Sequence, residues 1–234
     1  MKPKIIAHRG DSVRAPENTL KAFQLALDHQ ADGIELDVML SKDGRVVVIH
    51  DETVDRTTNG SGRVRDMTLA ALQELDAGEG QMIPTLEEVF DRFGGKFLIN
   101  IELKNYATIF DSLPAAVAKV VRDYDLAESV LISSFNPFNL PRFRRRLSGV
   151  TLGMITLPGK ARHGLYRLFR FDALHPHFND VDEDLVSRMR ARSRQVNVWT
   201  VDDPQEIRRL ADLQVDSIIT NNPQIVHEVL EGES

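Results

Sequence analysis

The chain contains no cysteine, which excludes disulfide bonds, thiolate metal ligands and cysteine nucleophiles. It also lacks any apolar run near the roughly 20 residues that a membrane-spanning helix needs, so an integral membrane protein is not expected. The apolar run within the first residues, Ile5 to Ala7, is too short for a secretory signal. We therefore expect a cytoplasmic protein.

Positive charge is also scarce, because 29 lysines and arginines stand against 35 acidic residues and give a net charge of -6 at pH 7. This balance argues against bulk binding of nucleic acid, which needs a field of basic residues. One segment, residues 142–171, departs from the average with eight basic residues and no acidic one. The rest of the chain is therefore strongly acidic.

The basic segment has two interpretations that stay open. Arg144 to Arg146 are typical of the solvated end of a helix, where cations also suit the helix dipole. The stretch from Arg162 to Arg170 instead alternates basic with bulky apolar residues, as interfacial segments do. A lid, or a peripheral contact between residues 142–171 and an anionic membrane, is the second interpretation.

Short β-rich runs alternate with helical patterns along the whole chain, which indicates parallel strands joined by helices. Nine strands are predicted, near residues 4–8, 33–39, 45–50, 97–103, 129–134, 151–155, 171–175, 195–200 and 216–220. The turn at Asp43-Gly44 leaves no room for a helix, so the third strand should return antiparallel, with paired residue numbers that sum to about 86. Eight parallel strands remain. We predict an α/β fold, a single (β/α)8 TIM barrel formed by one domain over residues 1–234.

Two helix signals and one irregular stretch complete the predicted fold. Pro16, followed by apolar residues at helical spacing, predicts a first helix near residues 17–29. Thr85 and Glu88 have the spacing of a capping box at the start of a later helix. The stretch between the returning strand and that helix, about residues 51–84, is predicted to be a short insertion over the barrel mouth.

Acidic residues alternate with apolar ones on two predicted strands. Glu35 and Asp37 share one face of their strand, and Glu102 shares a face with Lys104. Such a pattern usually means acids in water, but the parallel sheet of a β/α barrel is covered on both faces. Because buried carboxylates need a partner or a cation, we predict a metal site formed by Glu35, Asp37 and Glu102. Carboxylate oxygens suit one hard divalent cation, Mg²⁺ or Ca²⁺, with Mn²⁺ as a further option.

Two histidines end predicted strands at the same end of the barrel as these acids. His8 ends the first strand and precedes Arg9, and His50 ends the returning strand and precedes Asp51. Each histidine alone is more often structural, but barrel active sites lie at the carboxyl ends of the strands. Cleavage of a phosphodiester needs a base and an acid, and imidazole can serve as either. The arginine could bind two phosphate oxygens at once.

Nine short motifs occur in order along nearly the whole chain: Ala7-His-Arg-Gly10, Pro16-Glu-Asn-Thr19, Glu35-Leu-Asp37, Lys42-Asp-Gly44, His50-Asp51, Glu102-Leu-Lys104, Ser133-Ser-Phe135, Trp199-Thr-Val201 and Ile218-Ile-Thr-Asn221. Together they resemble the glycerophosphodiester phosphodiesterase family. The resemblance implies a barrel enzyme that hydrolyses small glycerophosphodiesters to sn-glycerol 3-phosphate and an alcohol. The last motif ends in asparagine where the family usually has aspartate.

The resemblance also implies a role for each candidate residue. The acid and base are His8 and His50, and the three carboxylates hold the metal ion. Arg9 and Lys104 contact the phosphate, and Trp199 packs against the glycerol or the leaving group. A core aromatic under the last helix is the alternative for this tryptophan.

Two other functions compete with this one. A related barrel phosphodiesterase would act on lysophospholipids or on other headgroup diesters, and would differ only in its specificity region. A non-catalytic module would bind phosphodiesters without cleaving them, but loss of a histidine or an acid would then be expected. Both histidines and all three acids are present.

Overall fold

The computed structural model describes residues 2–105, 110–161 and 165–232. The strands of this part are β1 Lys4–His8, β2 Gly33–Leu40, β3 Val46–Val48, β4 Leu98–Leu103, β5 Val130–Ser134, β6 Thr151–Ile155, β7 Ala173–His175, β8 Gln195–Val198 and β9 Ser217–Thr220. The α-helices are α1 Leu20–Asp28, α2 Leu69–Gln73, α3 Leu86–Phe93, α4 Leu113–Asp123, α5 Asn139–Arg144, α6 Glu183–Arg190, α7 Pro204–Asp212 and α8 Pro223–Glu231.

Eight parallel strands close into a barrel. Their order is β1-β2-β4-β5-β6-β7-β8-β9, and β9 pairs back with β1. The remaining strand, β3, is antiparallel to β2, and its pairs Val38 with Val48 and Leu40 with Val46 have residue numbers that sum to 86. The predicted barrel, the returning strand and its register are therefore confirmed.

The apolar side chains of the strands face the surrounding helices. Leu36 of β2 is fully buried in one cluster with Phe23 of α1 and Phe93 of α3, whose rings meet edge to face at 6.1 Å. Since side chains alternate along a strand, Glu35 and Asp37 on the same strand point the other way, into the barrel. The interior of this barrel consequently receives polar groups.

Helix α1 begins at Leu20, and the prediction that it starts near residue 17 is wrong. Thr19 is the residue that caps it, since its Oγ1 accepts a hydrogen bond from the Ala22 amide at 3.2 Å. Asn18 cannot be helical because its φ is +58°, in the left-handed region. Its side-chain Nδ2 donates to Asp37 at 2.9 Å. Asn18, just before the helix, thus forms a hydrogen bond with a buried carboxylate inside the barrel.

The chain between β3 and α3 forms the predicted insertion. It contains a 3₁₀ turn, Val64–Asp66, and the short helix α2. Its residues Val54, Val64, Leu72 and Ile83 form a small apolar cluster together with Met39 of β2 and Val47 of β3. The insertion ends at the predicted capping box, which begins α3. The Thr85 amide donates to the Glu88 carboxylate at 2.7 Å, and the Glu88 amide donates to Thr85 Oγ1 at 3.1 Å.

Candidate active site

The carboxyl ends of the barrel strands surround a cavity of about 200 Å³. Seven of the eight residues predicted to act in the site line it, namely His8, Arg9, Glu35, His50, Glu102, Lys104 and Trp199. The eighth, Asp37, is buried against Arg9 and Lys104. The fold therefore brings all eight residues together at one end of the barrel.

Three carboxylates form a buried acidic cluster in this site. One oxygen from each of Glu35, Asp37 and Glu102 lies within 4.8 Å of the other two. The strands β2 and β4 are neighbours, and their register aligns Asp37 with Glu102. Burial, followed by the charges of Asp37 and Glu102, raises the pKa of Glu35 well above its ordinary value. This cluster could bind a metal ion.

Two cations balance the acidic cluster. Lys104 Nζ lies 3.0 Å from Glu102 Oε1 and 3.6 Å from Asp37 Oδ1, and Arg9 Nε lies 3.2 Å from Asp37 Oδ2. Burial opposes the effect, but Lys104 and Arg9 hold the pKa of Asp37 below its ordinary value. Among the described residues, Oδ1 of Asp37 has no hydrogen-bond partner. One buried carboxylate oxygen therefore remains available to a further ligand.

His8 is held between an amide and the acidic cluster. Its Nδ1 lies 2.7 Å from Oδ1 of Asn221, whose Nδ2 is directed at Asp202 Oδ2 at 2.6 Å. Because the amide oxygen only accepts, Nδ1 of His8 must carry the proton. The other ring nitrogen, Nε2, therefore has a free lone pair and lies 3.9 Å from Glu35 Oε2. Burial, and then the Arg9 guanidinium, lowers the pKa of His8 to about 4. His8 is consequently neutral at pH 7.

His50 has a carboxylate partner instead. Its Nδ1 donates to Asp51 Oδ1 at 2.5 Å. Desolvation would raise the pKa of Asp51, but hydrogen bonds from Arg56 and His50 lower it to about 2, so this carboxylate stays ionised. His50 faces this carboxylate, whereas His8 faces a neutral amide oxygen. The two histidines therefore stand in different electrostatic surroundings.

Arg56 of the insertion joins two parts of the site. Its Nε donates to Asp51 at 2.5 Å, and its Nη1 and Nη2 each donate to Glu17 at 2.8 Å. Glu17 also accepts a hydrogen bond from Arg9 Nη1 at 2.8 Å. A chain of ion pairs thus connects the His50-Asp51 pair with Arg9. Arg56 is not predicted from the sequence, because a single arginine in a predicted loop has no local feature that separates it from surface arginines.

Part of the cavity lining is apolar. Phe135 follows β5, Ile155 ends β6 and Trp199 follows β8, and we call these three side chains the apolar wall; Ile219 of β9 adds a further apolar contact. The ring of Trp199 meets Phe135 edge to face at 5.5 Å, and its Nε1 donates to the His175 carbonyl at 2.9 Å. Since Trp199 lines the cavity and is partly exposed, the alternative of a core aromatic under the last helix is wrong. The cavity can accept a charged group on one side and an organic group on the other.

Comparison with known proteins identifies the family to which the chain belongs. The model of the Glycerophosphoryl diester phosphodiesterase family matches residues 8–225. The glycerophosphodiester phosphodiesterase of Caldanaerobacter subterraneus subsp. tengcongensis is 42% identical over 243 aligned residues, which cover 99% of this chain and 100% of the relative.

Two solved structures are similar over nearly the whole chain. A phosphodiesterase of Oleispira antarctica, in complex with the product sn-glycerol-3-phosphate, is 31% identical with a TM-score of 0.88 and covers 98% of this chain and 97% of its own. A glycerophosphodiester phosphodiesterase of Agrobacterium tumefaciens is 30% identical with a TM-score of 0.81 and covers 96% and 98%. The chain therefore belongs to the glycerophosphoryl diester phosphodiesterase family.

Proposed function

We propose that this protein hydrolyses glycerophosphodiesters to sn-glycerol 3-phosphate and an alcohol, as a phosphoric diester hydrolase. The observation that carries the proposal is the arrangement of His8 and His50 around one buried cluster of three carboxylates in a single cavity. Such a site supplies an acid, a base and a place for a cation, which together serve metal-assisted cleavage of a phosphodiester. The product bound by the Oleispira antarctica relative supports the same substrate class.

The proposed cofactor is one hard divalent cation, Mg²⁺ or Ca²⁺, with Mn²⁺ as a further option. The donor set of Glu35, Asp37 and Glu102 consists of carboxylate oxygens only, which these ions prefer. The buried Oδ1 of Asp37, which lacks a hydrogen-bond partner among the described residues, also fits a metal ligand. When bound, such a cation supplies stabilisation of the negative charge that develops on the phosphate.

The hydrogen-bond partners of the histidines suggest how acid and base roles divide between them. His8 donates its Nδ1 proton to the Asn221 amide, so its Nε2 lone pair is available to take a proton from the attacking hydroxyl. His50 is hydrogen-bonded to the ionised Asp51. We assign to it the role of the acid that protonates the leaving alkoxide. The same division serves the first step whether water or the glycerol 2-hydroxyl attacks. If the hydroxyl attacks, the two histidines exchange roles when water then opens the cyclic phosphate.

The remaining predicted residues are proposed to position the substrate. Arg9 and Lys104 are paired with carboxylates of the acidic cluster. A cation bound to those carboxylates would leave more of their positive charge to a phosphate. Trp199 and Phe135 would contact the glycerol or the leaving group on the apolar side of the cavity.

Cation binding is expected to release a proton. The raised pKa of Glu35 means that this carboxyl holds a proton at a pH where an ordinary glutamate does not. A cation binds the ionised form, so protons compete with it, and its affinity should fall as the pH falls. Calorimetry in two buffers with different ionisation enthalpies measures the release. Equal heats in both buffers, or the same release from Glu35→Gln, would contradict this expectation.

Loss of Arg56 is expected to impair turnover more than stability. Arg56→Gln removes the link between Asp51 and Glu17, and we expect kcat to fall by about 10- to 100-fold, as for other groups that orient catalytic side chains. Arg45→Gln is the matched control, since Arg45 pairs with Glu87 outside the cavity lining. Steady-state kinetics and thermal unfolding of both variants test the expectation, which fails if their kcat values are alike.

A substrate panel tests the proposed function. The purified protein, loaded with Mg²⁺, is incubated with glycerophosphocholine, glycerophosphoinositol and lysophosphatidylcholine. Release of sn-glycerol 3-phosphate is measured enzymatically for the first two, and release of choline, with lysophosphatidic acid as the other product, is measured for the third. Release of sn-glycerol 3-phosphate from glycerophosphocholine supports the proposal, and the absence of any release argues strongly against it. The apolar wall with Phe135, Ile155 and Trp199 favours a second candidate, a phosphodiesterase for lysophospholipids or other headgroup diesters. Cleavage restricted to the lysophospholipid would support that candidate.

Three predictions about the whole protein stay predictions: a cytoplasmic location, one domain over residues 1–234, and a peripheral contact of residues 142–171 with an anionic membrane. In the described ranges, no helix has the length and apolar character to cross a bilayer. Fractionation of cells that make the full chain tests the location.

A further inference from the structure

Exposed apolar side chains lie on the loops that follow three adjacent barrel strands. Phe110 follows β4 and is 67% exposed, Phe138 follows β5 and is 45% exposed, and Leu157 follows β6 and is 58% exposed. Leu168, on the connection from β6 to β7, is 79% exposed. Single exposed apolar residues are normal on soluble proteins. A group of them at one end of the barrel indicates an interaction surface.

Three phenylalanine rings join these loops into one surface. The ring centroid of Phe138 lies 5.7 Å from that of Phe110 and 5.7 Å from that of Phe169. The loops after β4 and β5 and the connection after β6 are therefore in contact through aromatic rings, although Phe110 remains largely exposed. We name this surface the apolar rim, which consists of Phe110, Phe138, Leu157, Leu168 and Phe169.

The apolar rim continues the apolar wall of the cavity. Phe135 lines the cavity, and Phe138 of the rim is three residues further along the same loop. Ile155 lines the cavity at the end of β6, and Leu157 of the rim is two residues further. The rim therefore lies on the same loops as Phe135 and Ile155 of the apolar wall, at the carboxyl end of the barrel.

Basic side chains flank the apolar rim. The guanidinium of Arg142 lies over the Phe110 ring, 5.9 Å from its centroid, and donates to the Asp111 carbonyl. Arg145 and Arg146 are exposed and line a depression next to Arg142 at the start of α4. Arg167 is exposed beside Leu168. Arg162, within the predicted interfacial stretch, lies outside the described residues.

We propose that the apolar rim docks on an anionic lipid surface. Its phenylalanines and leucines would insert at the boundary between headgroups and acyl chains, and the flanking arginines would contact anionic headgroups. A protein partner could also cover apolar residues. The eight basic and no acidic residues of segment 142–171, in a chain with a net charge of -6, favour a partner that is both anionic and apolar.

Docking in this way holds the cavity mouth at the membrane surface. Substrates that are released from lipids, or that remain partly embedded in them, would then reach the cavity along its apolar wall. This consequence rests on the proposed function, whereas lipid binding by the rim does not. The two can therefore be tested separately.

Vesicle cosedimentation tests the docking with the full chain. The vesicles contain phosphatidylcholine alone or mixed with phosphatidylglycerol, at low and at high salt. The unchanged protein is expected to bind the mixed vesicles at low salt and to bind them less at high salt. The variant Phe110→Ser/Leu168→Ser should bind about tenfold or more weakly, because it loses two inserted side chains.

Two further variants separate charge from apolar contact. Arg145→Gln/Arg146→Gln should bind the mixed vesicles about tenfold more weakly, because each arginine near an anionic surface contributes to binding. Met82→Ser is the matched control, since Met82 is 56% exposed on the insertion and outside the rim, and it should bind like the unchanged protein. Water-soluble glycerophosphocholine should be cleaved equally by all variants.

Several results would overturn the docking proposal. One is no binding of the unchanged protein to mixed vesicles at low salt, and another is equal binding by Phe110→Ser/Leu168→Ser. A dimer seen by analytical ultracentrifugation and lost in that variant would assign the rim to a second copy of the chain. Binding without any turnover of glycerophosphocholine would instead support docking and contradict the proposed function.

Discussion

Replacing His50 with alanine is expected to lower kcat by about 10²- to 10⁴-fold while cation affinity stays close to that of the unchanged protein. The reason is the position of the imidazole, which is bonded to Asp51 rather than to a carboxylate of the acidic cluster. The variant should therefore lose a proton donor and keep the metal ligands. Steady-state kinetics with glycerophosphocholine and calorimetric titration with Mn²⁺ measure the two effects.

The choice of leaving group makes this experiment specific for the proposed acid. A diester of p-nitrophenol releases an anion that needs no proton, so the defect of His50→Ala should shrink on it, while the defect of His8→Ala should persist. His227→Ala is the control, because His227 lies at the surface beside Glu231. An equal defect on both substrates would argue against His50 as the acid, and loss of cation binding would place it among the ligands.

Replacing Glu102 with glutamine is expected to weaken cation binding by more than the about 10- to 100-fold that loss of an outer-shell partner costs. The amide is nearly the same size as the carboxylate but carries no charge, and Lys104 Nζ, 3.0 Å from Glu102 Oε1, would then repel the cation with less compensation. Turnover should fall at ordinary cation concentrations. Titration of the variant with Mn²⁺ and Mg²⁺, followed by calorimetry and by activity, measures both quantities.

Excess cation should distinguish a lost ligand from a lost proton donor. High Mg²⁺ is expected to restore part of the activity of Glu102→Gln but none of that of His50→Ala. Glu87→Gln is the matched control, since Glu87 pairs with Arg45 outside the cavity lining. Unchanged cation affinity in Glu102→Gln, together with lost turnover, would show that this glutamate does not bind the metal.

The parts of the fold that follow from local rules were predictable from the sequence. The turn at Asp43-Gly44 specifies a hairpin, and the register of β2 with β3 follows from its position. Alternation along β2 and β4 places Glu35 and Glu102 on the inner face, because the outer face is needed for packing against helices. This alternation, together with the pairing of β2 with β4 in the barrel, is enough to assemble the acidic cluster.

The features that depend on contacts between distant residues were not predictable in this way. Helical spacing extends the predicted first helix back to residue 17. In the structure, Asn18 has a left-handed φ, and its side chain donates a hydrogen bond to Asp37. The role of Arg56 depends on Glu17, which is 39 residues away in sequence. The apolar rim likewise becomes visible only when Phe110 and Phe138 meet through separate loops.

The proposed cation-dependent hydrolysis of glycerophosphodiesters is tested by measuring the release of sn-glycerol 3-phosphate before and after divalent cations are removed. The purified protein is incubated with glycerophosphocholine as isolated, after treatment with a chelator, and after Mg²⁺, Ca²⁺ or Mn²⁺ is returned. We expect release that disappears with the chelator and returns with at least one of these ions. Release that survives complete chelation, or no release from the metal-loaded protein, would contradict this expectation.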